Sequence, residues 1–148
     1  LRLDLAASFR ALGGPDAVRA TTFEERGAGP AGETGRVALD PDRLRARIGD
    51  VALGRKDAPA SYHLAVVVDD AWQGVTDVTR GEDLFESAML HRLLQALLGL
   101  PAPRWRHHRL IRDAAGRRLA KRDDALALAT LRAEGATPGD IRRMVGLG

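Results

Sequence analysis

The sequence contains no cysteine, and it has no apolar run that approaches the ~20 residues a helix needs to cross a bilayer. The first absence excludes disulfides and thiolate metal sites within this chain, so we expect no zinc here. The second predicts no membrane partner, and a cytoplasmic location is the expectation. Apolar residues make up 45% and charged residues 29% of the 148 positions, as is typical of a globular domain rather than a disordered chain.

An initiating methionine is also absent, since the chain opens with Leu1. Residues 1–5 alternate apolar and charged side chains, which is the period of a half-buried strand. We expect the chain to be a piece of a longer protein or a product trimmed at its front.

Regular patterning is scarce in residues 13–41, where glycine and proline recur. Only residues 20–25 predict a strand there. We interpret residues 13–41 as a loop-rich, weakly cored subregion, and a flexible surface excursion fits their composition equally well. Residues 1–49 together are interpreted as the end of an inserted, loop-rich module. A short helix is predicted over residues 42–48, with Asp40 and Pro41 at its entry.

Strands and helices alternate from residue 50 onward. Strands are predicted at residues 50–55, 75–79 and 105–111, and helices at residues 83–98, 125–134 and 137–145. This alternation predicts an α/β unit with parallel strands. The apolar stretch at residues 64–68 has two interpretations, because β-branched propensity favours a buried strand whereas a helix beginning near Ser61 fits as well.

Positive charge is plentiful and concentrated. The net charge is only +3, yet residues 104–122 hold seven arginines and one lysine against the single acid Asp113. Residues 116–122 (GRRLAKR) form a predicted loop in which Gly116 allows the turn. Guanidinium and ammonium groups placed in this way suit polyphosphate, although a solvated basic turn is the more common use of such residues taken alone.

The motifs that precede this loop are, in chain order, residues 55–70 (RKDAPASYHLAVVVDD), 74–76 (GVT), 80–84 (RGEDL) and 91–99 (HRLLQALLG). Together with the loop they make residues 50–147 resemble the second half of the catalytic domain of class I glutamyl-tRNA synthetases. The basic loop is similar to the family's Lys-Met-Ser-Lys-Ser signature. The closer resemblance is to the short glutamyl-Q tRNA(Asp) synthetases of that family, because His63 follows Tyr62 and because of residues 90–92 (LHR).

The resemblance implies a fold and an activity. Residues 50–148 would form the second half of a Rossmann-like domain with a parallel sheet, residues 1–49 would close the insertion before it, and residues 62–70 would be helical. The implied activity is ATP-dependent formation of glutamyl-adenylate, with Mg²⁺ as the counter-ion of ATP. The glutamyl group would then pass to the queuosine base in the anticodon of tRNA(Asp).

Two residues are implied to bind glutamate. Arg80 matches the family arginine that holds the substrate carboxylate, which a guanidinium can do through two parallel hydrogen bonds. Tyr62 matches a tyrosine of the same pocket. The alternatives are a surface ion pair of Arg80 with Asp77 or Glu82, and a packing role for Tyr62.

The basic loop is implied to bind ATP. Lys121 matches the second lysine of the signature, which would neutralise phosphate charge while the glutamate carboxylate attacks the α-phosphate. The loop departs from the family pattern, since Arg118 stands for the first lysine and Ala120 for the serine. The remaining residues of the expected loop are Leu119 and Arg122.

Two family features are missing from the sequence, namely the His-Ile-Gly-His signature and the cysteine-rich zinc site. The chain would therefore hold about half an active site: a second polypeptide would supply the front half, or the chain is an excised copy that is inactive alone. Two alternatives stay open. One is a truncated ordinary glutamyl-tRNA synthetase, and the other is a non-catalytic tRNA-binding remnant with Trp105 stacking on a base and with phosphate contacts from Arg104, Arg106, Arg109 and Arg112.

The histidines are interpreted as structural or RNA-facing rather than as metal ligands, because no suitable partner lies at ligand spacing from any of them. They are His63, His91, His107 and His108, of which the last two would point to opposite sides of a strand. The synthetase interpretation as a whole requires Arg80 and Lys121 to converge across the open end of the sheet.

Overall fold

The computed structural model describes residues 1–112, 116 and 127–147. They divide between two compact units, Leu1–Arg109 and Leu110–Gly148. Residues 1–49 thus share a unit with the strands and helices that follow them. Their origin as the end of an inserted module stays a prediction.

The strands of the first unit form a four-stranded sheet and a separate two-stranded pair. They are β1 (Arg2–Leu3), β2 (Thr22–Glu25), β3 (Gly35–Ala38), β4 (Val51–Ala52), β5 (Asp77–Gly81) and β6 (Arg104–His108). The larger sheet has the order β3-β2-β6-β5, in which β2, β6 and β5 run parallel and β3 is an antiparallel edge. β1 pairs antiparallel with β4. The predicted α/β fold with parallel strands is confirmed.

The helices of the first unit are α1 (Leu5–Ala11), α2 (Pro15–Ala20), α3 (Pro41–Arg47), α4 (Tyr62–Trp72) and α5 (Phe85–Leu98). The apolar face of α5 covers the sheet: Phe85, Ala88, Met89 and Leu93 are each at most 1% exposed. Phe23 on β2 stacks edge-on against Trp105 on β6, with ring centroids 5.3 Å apart. Gly99 ends α5 with a φ of 66°, a left-handed conformation that glycine adopts without strain. The predicted amphipathic helix over residues 83–98 is confirmed.

The expectation of a weakly cored subregion over residues 13–41 is wrong. Its buried side chains, Val18, Phe23 and Leu39, belong to the same hydrophobic cluster as Phe85 and Trp105. A flexible surface excursion is wrong for the same reason. The glycines that predicted loops instead connect short elements, since Gly13 and Gly14 adopt φ values of 103° and 100° between α1 and α2. The predicted entry to α3 is confirmed, with the Asp40 carboxylate accepting hydrogen bonds from two backbone N–H groups.

Residues 64–68 are helical, as the family resemblance implied and against their β-propensity. Ser61 caps α4 by accepting a hydrogen bond from the Leu64 N–H at 3.4 Å. Val67 is 1% exposed and packs in a second cluster with Leu53, Leu90 and Leu94. Burial of one helix face against α5 therefore outweighs the strand preference of the valines.

The second unit contains two described helices, α6 (Leu128–Ala133) and α7 (Pro138–Met144). The predicted start of α7 is confirmed in detail: Thr137 and Asp140 form a reciprocal capping box, and Pro138 occupies the first turn. No helix among the described residues is long and apolar enough to cross a membrane.

Candidate functional site

Four polar side chains meet where β5 ends. Tyr62 and His63 are the first residues of α4, Arg80 is the penultimate residue of β5, and His91 lies in the second turn of α5. We call these four residues the Arg80 cluster. They lie at the carboxyl end of a parallel strand, where open α/β sheets place their ligands.

Arg80 contacts both α4 and α5. Its Nη1 donates a hydrogen bond to His91 Nδ1 at 3.1 Å, and its Cζ lies 5.9 Å from the centroid of the Tyr62 ring. The second distance is at the outer limit of a cation–π contact. The two residues predicted to bind glutamate are thus neighbours, although their role stays a prediction.

Asp77, the first alternative partner of Arg80, is bound by Arg104 instead. Arg104 Nε and Nη2 donate to the two oxygens of that carboxylate at 2.9 and 2.5 Å. This fork lowers the pKa of Asp77, chiefly through the hydrogen bonds. The phosphate contact that one alternative assigned to Arg104 competes with this pairing.

The two histidines of the cluster contact each other. His91 Nε2 lies 3.0 Å from His63 Nδ1, and His91 is 2% exposed. Burial, followed by the nearby charges of Arg80 and His63, lowers the pKa of His91 to about 3. Burial and the Arg80 charge also lower the pKa of His63. Both imidazoles are therefore neutral near pH 7, and Arg80 carries the positive charge of the cluster.

The sequence does not predict this contact. His63 and the stretch that contains His91 resemble the short synthetases, and both histidines were expected to have structural or RNA-facing roles. They lie 28 positions apart on different helices, so no local spacing predicts their meeting. Only the packing of α4 on α5 brings them together.

A cavity of about 300 Å³ borders the cluster at Tyr62. Its lining comprises Ala52, Gly54, Arg55, Ala58, Ala60, Ser61 and Tyr62. The wall is a tight turn, in which Arg55 N–H donates to the Ala58 carbonyl at 2.7 Å and Ser61 N–H donates to the Leu53 carbonyl at 2.8 Å. A Cβ on Gly54 would collide with the Pro59 carbonyl oxygen. The volume is at the lower end of the range for small-ligand pockets.

A third histidine, His107, lies in a very different setting, between β2 and β6. The His107 and Glu25 side chains are fully buried, with Nδ1 2.5 Å from Oε2. The other carboxylate oxygen accepts hydrogen bonds from Gly27 N–H at 2.7 Å and from His107 N–H at 2.9 Å. We call these two residues the Glu25–His107 pair. His108 is exposed, so the two neighbours do point to opposite sides, as predicted.

The predicted ATP-binding residues, Arg118, Leu119, Ala120, Lys121 and Arg122, lie outside the described residues. The predicted convergence of Arg80 and Lys121 is therefore untested. Among the residues that the structure describes, no group of three or more His, Asp or Glu side chains could hold a metal ion. Trp105 is 1% exposed, so the base-stacking role that one alternative gave it is wrong: this indole belongs to the core.

Comparison with known proteins identifies the same family as the sequence motifs. The family model described as the catalytic domain of class I tRNA synthetases (E and Q) matches residues 7–147. A glutamyl-Q tRNA(Asp) synthetase of Rhodobacter capsulatus is 54% identical over 147 residues, which cover 99% of this chain and 48% of that protein. The enzyme of the same name from Pseudomonas syringae pv. tomato is 47% identical over 100 residues, which cover 68% of this chain and 33% of that protein.

A solved structure agrees with these matches. The chain superposes with a TM-score of 0.50 and 33% identity on a glutamate tRNA ligase from Elizabethkingia meningosepticum, solved in complex with its amino acid. The match covers 60% of this chain and 17% of that one. The present chain spans about half the length of the curated relative that it matches over 99% of its residues.

Proposed function

The chain belongs to the family of class I tRNA synthetase catalytic domains specific for glutamate and glutamine, and from that membership we propose that it forms the amino-acid-binding half of an ATP-dependent glutamate ligase. The observation that carries this proposal is the Arg80 guanidinium, held beside Tyr62 at the carboxyl end of β5. The rest of the active site would come from the part of the relatives that this chain does not match.

The Arg80 cluster suits a carboxylate ligand. Arg80 presents a planar fork of N–H donors, one of which His91 occupies, and the fork can bind a carboxylate through parallel hydrogen bonds. Tyr62 is 56% exposed beside it, so its hydroxyl can reach a ligand in the adjoining cavity. Since both histidines are neutral, the cluster offers one positive charge to one negative group.

The basic loop suits a nucleotide triphosphate. Arg118, Lys121 and Arg122 would hold the phosphates of ATP, with Mg²⁺ as the counter-ion. The glutamate carboxylate would attack the α-phosphate of ATP, which would form glutamyl-adenylate and release pyrophosphate. Lys121 would neutralise the charge that develops there, and because no covalent enzyme intermediate is needed, binding and orientation carry the reaction.

For the acceptor we propose queuosine in the anticodon of tRNA(Asp). The support is the higher identity of this chain to proteins named for that reaction than to the glutamate tRNA ligase it resembles in fold. An ordinary glutamyl-tRNA synthetase is the second candidate, and that fold likeness favours it. The burial of Trp105 speaks against a remnant that only binds tRNA.

The test is a chimera in which this chain replaces the matching segment of the Rhodobacter capsulatus enzyme. We expect glutamate-dependent exchange between ATP and pyrophosphate, followed by transfer of glutamate to tRNA(Asp) that contains queuosine. Arg80→Ala should lower kcat/KM for glutamate by roughly ten- to a hundredfold, the effect of losing a hydrogen bond to a charged group. Arg80→Lys should not restore activity, because an ammonium cannot form the fork.

Arg106→Ala is the matched control, since Arg106 is an exposed arginine on the neighbouring strand β6. It should leave the exchange reaction unchanged. Equal losses in Arg80→Ala and Arg106→Ala would contradict the assignment of the glutamate site. Transfer to tRNA(Glu), with none to queuosine-containing tRNA(Asp), would favour the second candidate.

A further inference from the structure

Arg80, His91 and His63 form a continuous line of hydrogen bonds from β5 through α5 to α4. We propose that His91, oriented by His63, is a positioning residue that holds the Arg80 guanidinium in the orientation that binds the substrate carboxylate. We call the three residues the histidine relay. The inference rests on the proposed function and adds to it two residues outside the predicted glutamate contacts.

The direction of the relay follows from the chemistry of its ends. A guanidinium has only N–H donors, so His91 Nδ1 must be the acceptor of the 3.1 Å contact. A neutral imidazole has one donor and one acceptor, so the His91 proton lies on Nε2. That N–H donates to His63 Nδ1 at 3.0 Å, which places the His63 proton on its own Nε2. Arg80 therefore fixes both tautomers.

The relay also resists protonation. A second proton on His91 would put an N–H at Nδ1, facing the guanidinium with like charge. A second proton on His63 would put two N–H groups face to face across the 3.0 Å contact. Both histidines have lowered pKa values, in agreement with these contacts. The orientation of Arg80 is thus kept across the neutral pH range.

A packing role does not account for His91. Its neighbours Leu90 and Leu94 are each at most 2% exposed, and an apolar residue would fill the same space without the cost of burying two ring nitrogens. Both nitrogens have partners, and one of these is the cation proposed to bind substrate. Arg80 has a long and flexible side chain, so fixing it before the ligand arrives removes an ordering cost from binding.

The test compares His91→Asn with His91→Gln in the chimera described above. An asparagine amide lies near the position of a histidine Nδ1, so its oxygen can still accept from Arg80. A glutamine amide lies near the position of Nε2, so it keeps the contact with His63 instead. Both variants place a neutral amide at the same buried position, and they differ in which of the two hydrogen bonds that amide can keep.

We expect His91→Asn to retain a KM for glutamate close to the unmodified value. His91→Gln should raise that KM by about tenfold, the effect of losing a hydrogen bond to a charged group. kcat should change less than KM, and KM for ATP should stay constant in both variants. Equal increases in KM for glutamate in the two variants would overturn the positioning role.

The relay is tested independently of catalysis by ¹⁵N NMR of the histidine rings in the complete 148-residue chain. We expect the Nε2–H tautomer for His63 and His91, and a mixture of tautomers in Arg80→Ala. A proton on His91 Nδ1 would overturn the relay whatever the activity. The chimera could activate no glutamate while the tautomers are as expected. That result would confirm the hydrogen bonds of the relay but refute the proposed function, and with it the positioning role of His91.

Discussion

The Arg80 cluster and the Glu25–His107 pair use a buried histidine against a charged partner in opposite ways. His107 faces a carboxylate, and the carboxylate also accepts hydrogen bonds from the backbone of β6 and of the turn after β2. His91 faces a guanidinium that also lies beside Tyr62, an exposed residue that lines a cavity. The first arrangement is closed in the core, whereas the second opens toward a place where a ligand can bind.

The two arrangements distinguish a buried polar group that stabilises the fold from one that we propose acts on a ligand. Glu25 is 1% exposed, and its carboxylate interacts with one side chain and two backbone N–H groups. All of these partners lie inside the protein. Arg80 is only partly buried, and a single one of its N–H groups is used by His91. The Glu25–His107 pair should therefore govern stability, and the Arg80 cluster should govern glutamate binding.

The largest expected effect is the loss of Glu25. Glu25→Ala should lower the free energy of unfolding by about 3–5 kcal/mol, because it leaves a buried imidazole and two buried N–H groups without their acceptor. Urea denaturation of the purified chain measures this loss. Glu24→Ala is the matched control, since Glu24 lies next to it in an exposed ion pair with Arg26 and should change stability by about 1 kcal/mol or less. Equal losses of stability in Glu25→Ala and Glu24→Ala would contradict the proposed difference between a core and a surface carboxylate on β2.

The next effect is a pH dependence of stability that originates in His91. Its pKa is about 3 in the folded protein, whereas an unfolded histidine titrates near 6.5. Between these values the unfolded state binds more protons, so stability falls as pH falls below about 6.5, by up to about 1.4 kcal/mol per pH unit for one proton. The groups that face His91 are Arg80 from β5 and Tyr62 and His63 from α4, and the lowered pKa of His63 acts in the same direction.

Urea denaturation at pH 5, 6 and 7 checks this prediction against His91→Asn. The variant should lose less stability than the unmodified protein as the pH falls, and the difference between the two should grow toward pH 5. Identical pH dependence in both proteins would mean that His91 is accessible to protons in the folded state. The Arg80 cluster would then not differ from a surface histidine site.

The sequence predicted the parts of the fold that depend on local chemistry. The periodic face of α5, its end at Gly99, and the caps at Asp40, Ser61 and Thr137 all follow from residue type and spacing. It did not predict what depends on distant partners. Residues 13–41 were expected to be weakly cored because glycine and proline recur there, and only tertiary packing gathers Val18, Phe23 and Leu39 into one cluster.

The candidate site divides in the same way. Arg80 and Tyr62 were found because the family resemblance covers the motifs that contain them. His91 lies in such a motif too, but its contacts were not predicted, because they arise from the packing of α5 against β5 and against α4. The β-propensity of residues 64–68 alone would have predicted a strand there instead of α4. His63, which lies in the first turn of α4, would then not have been predicted to contact His91.

The smallest expected effect tests whether the start of α4 matters for the ligand as well as for the fold. Ser61→Ala removes the cap beside Tyr62 and His63 and should cost about 1 kcal/mol of stability. Asp40→Ala removes the corresponding cap of α3, away from the cluster, at a similar cost. Only Ser61→Ala loosens the start of α4, where Tyr62 and His63 contact Arg80 and His91. Therefore only Ser61→Ala should raise KM for glutamate in the chimera. Ser61→Thr restores a hydroxyl cap and should reverse the increase. An equal increase of KM for glutamate in Asp40→Ala would show that glutamate binding follows overall stability. It would contradict the distinction between the Arg80 cluster, which governs glutamate binding, and the Glu25–His107 pair, which governs stability.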